Sequence, residues 1–89
     1  MASEKDKAEA RKQIRVYETK LNDMNAGLRR CNRAIEDYEK SIEIADKLRD
    51  KKFIKQMEKA IKDTKKSRGK LAGHVDELTK RIANLKRIL

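Results

Sequence analysis

Apolar residues recur along the first half of the chain at alternating steps of four and three: Ala10, Ile14, Tyr17, Leu21, Met24, Leu28, Cys31, Ile35, Tyr38, Ile42 and Ala45. The second half repeats the rhythm with Ile54, Met57, Ile61, Thr64, Arg68, Leu71, Val75, Leu78, Ile82, Leu85 and Leu89. This spacing fills the a and d positions of a heptad, so each half predicts a long coiled-coil-like helix with one seam. The phase slips between the halves: two heptads beyond Ile42 is residue 56, whereas the second seam runs through 54 and 61. One straight helix would place the two seams on different faces. Folded back, they oppose each other in pairs whose numbers sum to 99, such as Ala45 with Ile54, Leu28 with Leu71 and Ile14 with Leu85. Each pair sets an a position against a d position, as antiparallel packing requires. The expected fold is therefore all-α, an antiparallel two-helix hairpin that completes a four-helix bundle with a second copy or a partner. The competing arrangement is one continuous helix that dimerises.

The whole chain, 1–89, reads as a single domain, with helix 1 over about 5–47, a turn at about 48–52 and helix 2 over about 53–88. Ser3 followed by Asp6 is a variant of the capping box that starts a helix, and Asp50 is the best N-cap for the second. The turn contains neither Gly nor Pro. Gly27, Gly69 and Gly73 fall inside helices, where each is about 1 kcal/mol less favourable than alanine. Gly27 lies nearly opposite Gly73, and the glycines of helix 2 mark a soft or bent stretch. The middle of the seam is polar, with Cys31 facing Arg68 and Ile35 facing Thr64; Arg68 is expected to snorkel out.

Beside the seam, the two flanks differ. The g positions read Gly27, Ala34, Ser41 and Leu48 on helix 1 and Phe53, Ala60, Ser67 and His74 on helix 2. The e flank sets Glu18, Asn25, Asn32, Glu39 and Asp46 against Glu58, Lys65, Ala72, Thr79 and Lys86. Small uncharged residues let another helix approach closely, whereas charges hold it off. The g side is thus the candidate partner-binding groove, and Ile44, Leu48 and Phe53 give it a hydrophobic end at the hairpin tip. The bland alternative is that small residues simply sit there.

Charge separates the halves. Residues 1–45 carry 10 Lys/Arg and 9 Asp/Glu, a net of +1, and residues 46–89 carry 15 and 6, a net of +9. Lys52, Lys55, Lys59, Lys62 and Lys66 follow the 3/4 spacing on outer b and f positions. They form a stripe able to attract an anion, or a solvated back of the coiled coil. No aromatics interleave with it for base stacking.

Composition removes other classes. With 37% hydrophobic residues, no Trp, and only Phe53, Tyr17 and Tyr38 as aromatics, the chain cannot build a thick core. No segment approaches the roughly 18 apolar residues of a membrane span, and the N-terminus lacks the apolar core of a signal peptide. A single cysteine forms no internal disulfide and suits a reducing, cytoplasmic setting. Cys31 is a seam residue and His74 a flank residue, too far apart for a catalytic pair and too few for zinc. No phosphate loop is present, and the carboxylates are scattered among lysines. No enzymatic activity, metal or cofactor is expected.

A single-domain hairpin of two long helices near ninety residues resembles the small helical proteins of type VII secretion systems, which include the Trp-X-Gly hairpins and the accessory partners of Leu-X-Gly toxins. The Trp-X-Gly turn is replaced by Asp46-Lys47-Leu48-Arg49-Asp50-Lys51-Lys52-Phe53. The Tyr-x-x-x-Asp/Glu secretion signal is absent, since Leu21 follows Tyr17 at plus four and Ile42 follows Tyr38. The resemblance therefore implies an accessory hairpin rather than a self-sufficient secreted one. Its partner would be the helical N-terminal domain of a secreted toxin, and the chain would be cytoplasmic or exported within that complex. On this reading it is a non-enzymatic, chaperone-like targeting adaptor. The rival classes are a basic nucleic-acid-associated protein, marked by steeply salt-dependent duplex binding, and a structural coiled-coil homodimer.

Overall fold

In the computed structural model, which describes residues 2–89, two helices account for almost the whole chain: α1 (Glu4–Lys47) and α2 (Lys51–Lys86). The capping box forms at Ser3. The Asp6 amide donates to Ser3 Oγ at 3.2 Å and the Ser3 amide donates to Asp6 Oδ2 at 3.3 Å. Two of the amides that a helix start leaves orphaned are satisfied in this way.

The reversal needs only Leu48, Arg49 and Asp50, fewer residues than the sequence suggests. The Asp50 amide donates to the Ala45 carbonyl at 2.9 Å and the Arg49 amide to the Asp46 carbonyl at 3.1 Å. This is the Schellman ending of a helix. Its left-handed residue, usually glycine, is here Arg49, with φ of 57°. Asp50 then starts α2, its Oδ1 accepting from the Phe53 amide at 3.1 Å. One residue therefore closes the first helix and caps the second. The far end of α2 stops at Lys86, short of the expected 88. Arg87, Ile88 and Leu89 donate to the carbonyls three residues back, as the last turn tightens.

The seam packs as the heptad pattern predicts. Every seam residue from Ala10 to Leu85 is buried or half-buried. Leu89 departs from the pattern: it lies beyond α2 and is 50% exposed. Arg68 keeps to it by snorkelling: its side chain is half-buried, and its guanidinium reaches the exposed edge of the hairpin, where it donates to Asn32 Oδ1 at 2.9 Å. Thr64 is tolerated in the seam because its hydroxyl donates to its own helix at the Ala60 carbonyl, 2.8 Å away.

The glycines do different jobs from those their positions suggest. A Cβ on Gly27 would lie 2.8 Å from Leu71 Cδ2, so close helix approach explains this glycine. Gly69 and Gly73 have nothing within 4 Å of a built Cβ, and α2 runs through both without interruption. Gly73 is not the packing counterpart of Gly27.

Two helices make only one layer of contact. Ala10, Ile14, Ile35, Ala45, Leu78 and Ile82 are the buried core residues among those described. The molecule measures 67 × 14 × 12 Å, with a radius of gyration of 20.0 Å. A compact domain of this length would have about 12 Å. No helix among the described residues is long and apolar enough to cross a membrane.

Candidate helix-binding face

The g side is built by the same rotation that makes the seam. On an antiparallel pair, g positions of both helices point out along one broad side and e positions along the other. Gly27, Ala34, Ser41 and Ala60 are half-buried there, because they border the seam without filling it. Ser67 and His74 are exposed, and the His74 Nδ1 stands 4.0 Å from Glu77 Oε2. The centre of this side thus carries small side chains and one exposed imidazole.

At the tip the groove opens into a depression of about 360 Å³ walled by Ser41, Ile44, Ala45, Leu48, Asp50 and Phe53. Ile44 is 61% exposed, Leu48 74% and Phe53 37%. None of the three is needed by the hairpin seam, and together they form an unpartnered apolar surface. These are the three residues that the sequence pattern places at the apolar tip.

It missed the other end. Val16 at a c position is 49% exposed, and Ile88, the last g position of the second heptad series, is exposed as well. On the wheel, c lies next to g. Val16 sits with Gln13, Tyr17 and Lys20 around one hollow, and Ile88 with Ala10, Gln13 and Leu85 around another. Apart from Leu89, every exposed large hydrophobic residue described thus occupies the g or c positions of one side. Extending the heptad count to the c positions would have found Val16, and running the g series past His74 would have found Ile88.

Charges on this side alternate. Lys20, Asp23, Arg30 and Asp37 follow one another along α1, and Asp63, Lys70, Glu77 and Arg81 along α2, all exposed. Lys20 also places its Nζ 6.0 Å from the centroid of the Tyr17 ring. The opposite side and back of α2 have a different character. Lys52, Lys55, Lys59, Lys62 and Lys66 are all exposed and make no ion pair among the described residues. Four of them surround a shallow hollow together with Glu58 and Asp63. The protein thus has a charge-balanced side bearing apolar ends and a strongly basic edge.

Cys31 is half-buried in the seam, and the described residues contain no cluster of three or more His, Cys, Asp or Glu able to hold a metal ion. Nothing draws Cys31 and His74 together into a reactive pair. No known protein family, curated protein or solved structure matches the chain.

Proposed function

We propose that this hairpin is a non-enzymatic adaptor that binds helices of another polypeptide along its g side. One observation carries the reading: apart from Leu89, the large apolar residues left uncovered by the hairpin gather on a single side, at both ends of a row of small residues. Two helices laid into that groove would complete a four-helix bundle and cover the half-exposed seam. Exposed apolar patches of this kind mark interaction surfaces.

The resemblance to small type VII hairpins gives the proposal its most concrete form. The incoming helices would belong to the N-terminal domain of a secreted Leu-X-Gly toxin, and the adaptor would keep that domain folded and present it for export. The test is co-expression with the product of the neighbouring gene, followed by affinity capture and light scattering. Ala34→Glu and Ala60→Glu should each abolish co-purification, by bulk and by burying an unpaired charge. Lys55→Glu with Lys62→Glu should leave it intact. Capture that survives both alanine replacements but fails on lysine reversal would refute the groove and favour recognition of an anion.

A further inference from the structure

We propose that, in the absence of its partner, the g side is covered by a second copy of the chain, laid face to face and antiparallel about a twofold axis near Gly27 and Gly73. This rests on the reading of the g side as a helix-binding surface and names the occupant of the free protein.

The first argument is the placement of the apolar ends. The tip carries Ile44, Leu48 and Phe53, and the opposite end carries Val16 and Ile88, all on the same side. A closed twofold dimer must use the same patch on both copies. Turning one copy end for end lays its tip over the base of the other twice by symmetry, so both apolar ends are covered at once. The small residues, Gly27 and Ala34 among them, then fall in the middle, where the helices of the two copies come closest.

The second argument is charge. If the two copies lay parallel with their tips together, α1 of one would face α2 of the other. Lys20 would then meet Arg81, Asp23 would meet Glu77, Arg30 would meet Lys70, and Asp37 would meet Asp63. All four pairs are of like sign. In the antiparallel arrangement α1 faces α1 and α2 faces α2. A register centred between Leu28 and Arg29 on α1 and at Ala72 on α2 brings Lys20 opposite Asp37 of the other copy and Arg81 opposite Asp63, each twice, and sets Val16 against Ser41 and Ile88 against Gln56, one turn from Ile44 and Phe53. The alternating signs along this side therefore select one orientation.

The third argument is surface. The accessible area is 7248 Å², whereas a compact monomer of this mass would expose about 5,400 Å². The difference exceeds the roughly 800 Å² per partner of a standard interface.

The test uses the full chain carrying Cys31→Ser. Light scattering at tens of micromolar should give twice the 10.4 kDa chain mass. Lys20→Cys and Asp37→Cys chains, mixed and oxidised with glutathione disulfide, should yield the mixed disulfide-linked dimer in preference to either self-linked one. Lys20→Glu should weaken association about tenfold, and adding Asp37→Lys should restore it; both positions are exposed, so folding is not at stake. A monomer throughout this range overturns the proposal, and so does tip-to-tip linkage of Leu48→Cys chains or a charge swap without rescue. Co-purification of the neighbouring gene product would survive those failures. Its loss with the dimer intact would instead refute the adaptor reading alone.

Discussion

The tip of Leu71 packs over Gly27: a single added carbon on Gly27 would press to 2.8 Å from the Leu71 Cδ2 atom. The terminal methyl of Leu71 can move, but only by disturbing a seam residue. Gly27→Ala gains helix propensity and loses packing, and the two effects are similar in size. Gly69→Ala and Gly73→Ala meet no obstruction and should each stabilise the protein by about 1 kcal/mol. Urea unfolding of the three variants should rank Gly27→Ala clearly below the other two. Equal gains at all three positions would show that the Leu71 side chain gives way without cost.

Arg49 occupies the left-handed conformation at φ 57° that a glycine would adopt without steric cost. Arg49→Gly should raise stability by about 0.5–1 kcal/mol, the relief being partly offset by the greater freedom of glycine in the unfolded chain. Arg49→Val should lower it by more than that. Thermal unfolding monitored by helicity would distinguish them, and a destabilised Arg49→Gly protein would contradict the Schellman ending.

Asp50 caps α2, whose first turn contains no other acidic residue and begins with Lys51 and Lys52. Asp50→Ala should cost about 1–2 kcal/mol, from loss of both the cap and a negative charge at the positive end of the helix. Asp50→Asn keeps the acceptor oxygen and should lose less than half as much. Chemical denaturation at low ionic strength is the measurement, since added salt narrows the gap between the two variants.

Arg68 reaches Asn32 across the hairpin at 2.9 Å, and Asn32 is exposed. Water can replace the lost donor when Arg68 becomes leucine, and the leucine fills a polar gap opposite Cys31. Arg68→Leu should therefore remain within about 1 kcal/mol of the parent. A double-mutant cycle with Asn32→Ala should give a coupling of about 0.5–1 kcal/mol. A coupling indistinguishable from zero would remove the hydrogen bond from any account of the register.

The fold was legible because two seams of alternating steps can be satisfied together only by folding back, and the numbers of facing residues then follow from one sum. Ser3 and Asp50 were legible because a helix start requires an acceptor at a fixed offset from a free amide. The ending of α1 was harder to read, because Arg49 takes a backbone conformation that its side chain does not advertise. Gly27 and Gly73 looked like counterparts on the wheel, yet only the distance to Leu71 tells a packing glycine from an exposed one. Val16 escaped because the seam explains so much of the apolar content that a lone residue one position farther round the helix reads as surface, and Ile88 because it lies at the end of the g series, two heptads past His74. The tip was found, since Ile44, Leu48 and Phe53 crowd into one stretch of chain, and the base was not, since its members come from opposite ends of the sequence.

Because Asp50 both closes α1 and caps α2, the hairpin has no slack at its tip, and this limits how its length can vary. Seven residues added to α1 alone would leave an overhang with no opposing seam. The same insertion made at mirror positions in both helices would preserve every facing pair on either side of it. A single residue inserted between Leu48 and Asp50 would separate the two caps and turn one seam away from the other. Longer and shorter versions of this protein should therefore differ by matched heptads in the two arms, with the three-residue reversal kept at constant length.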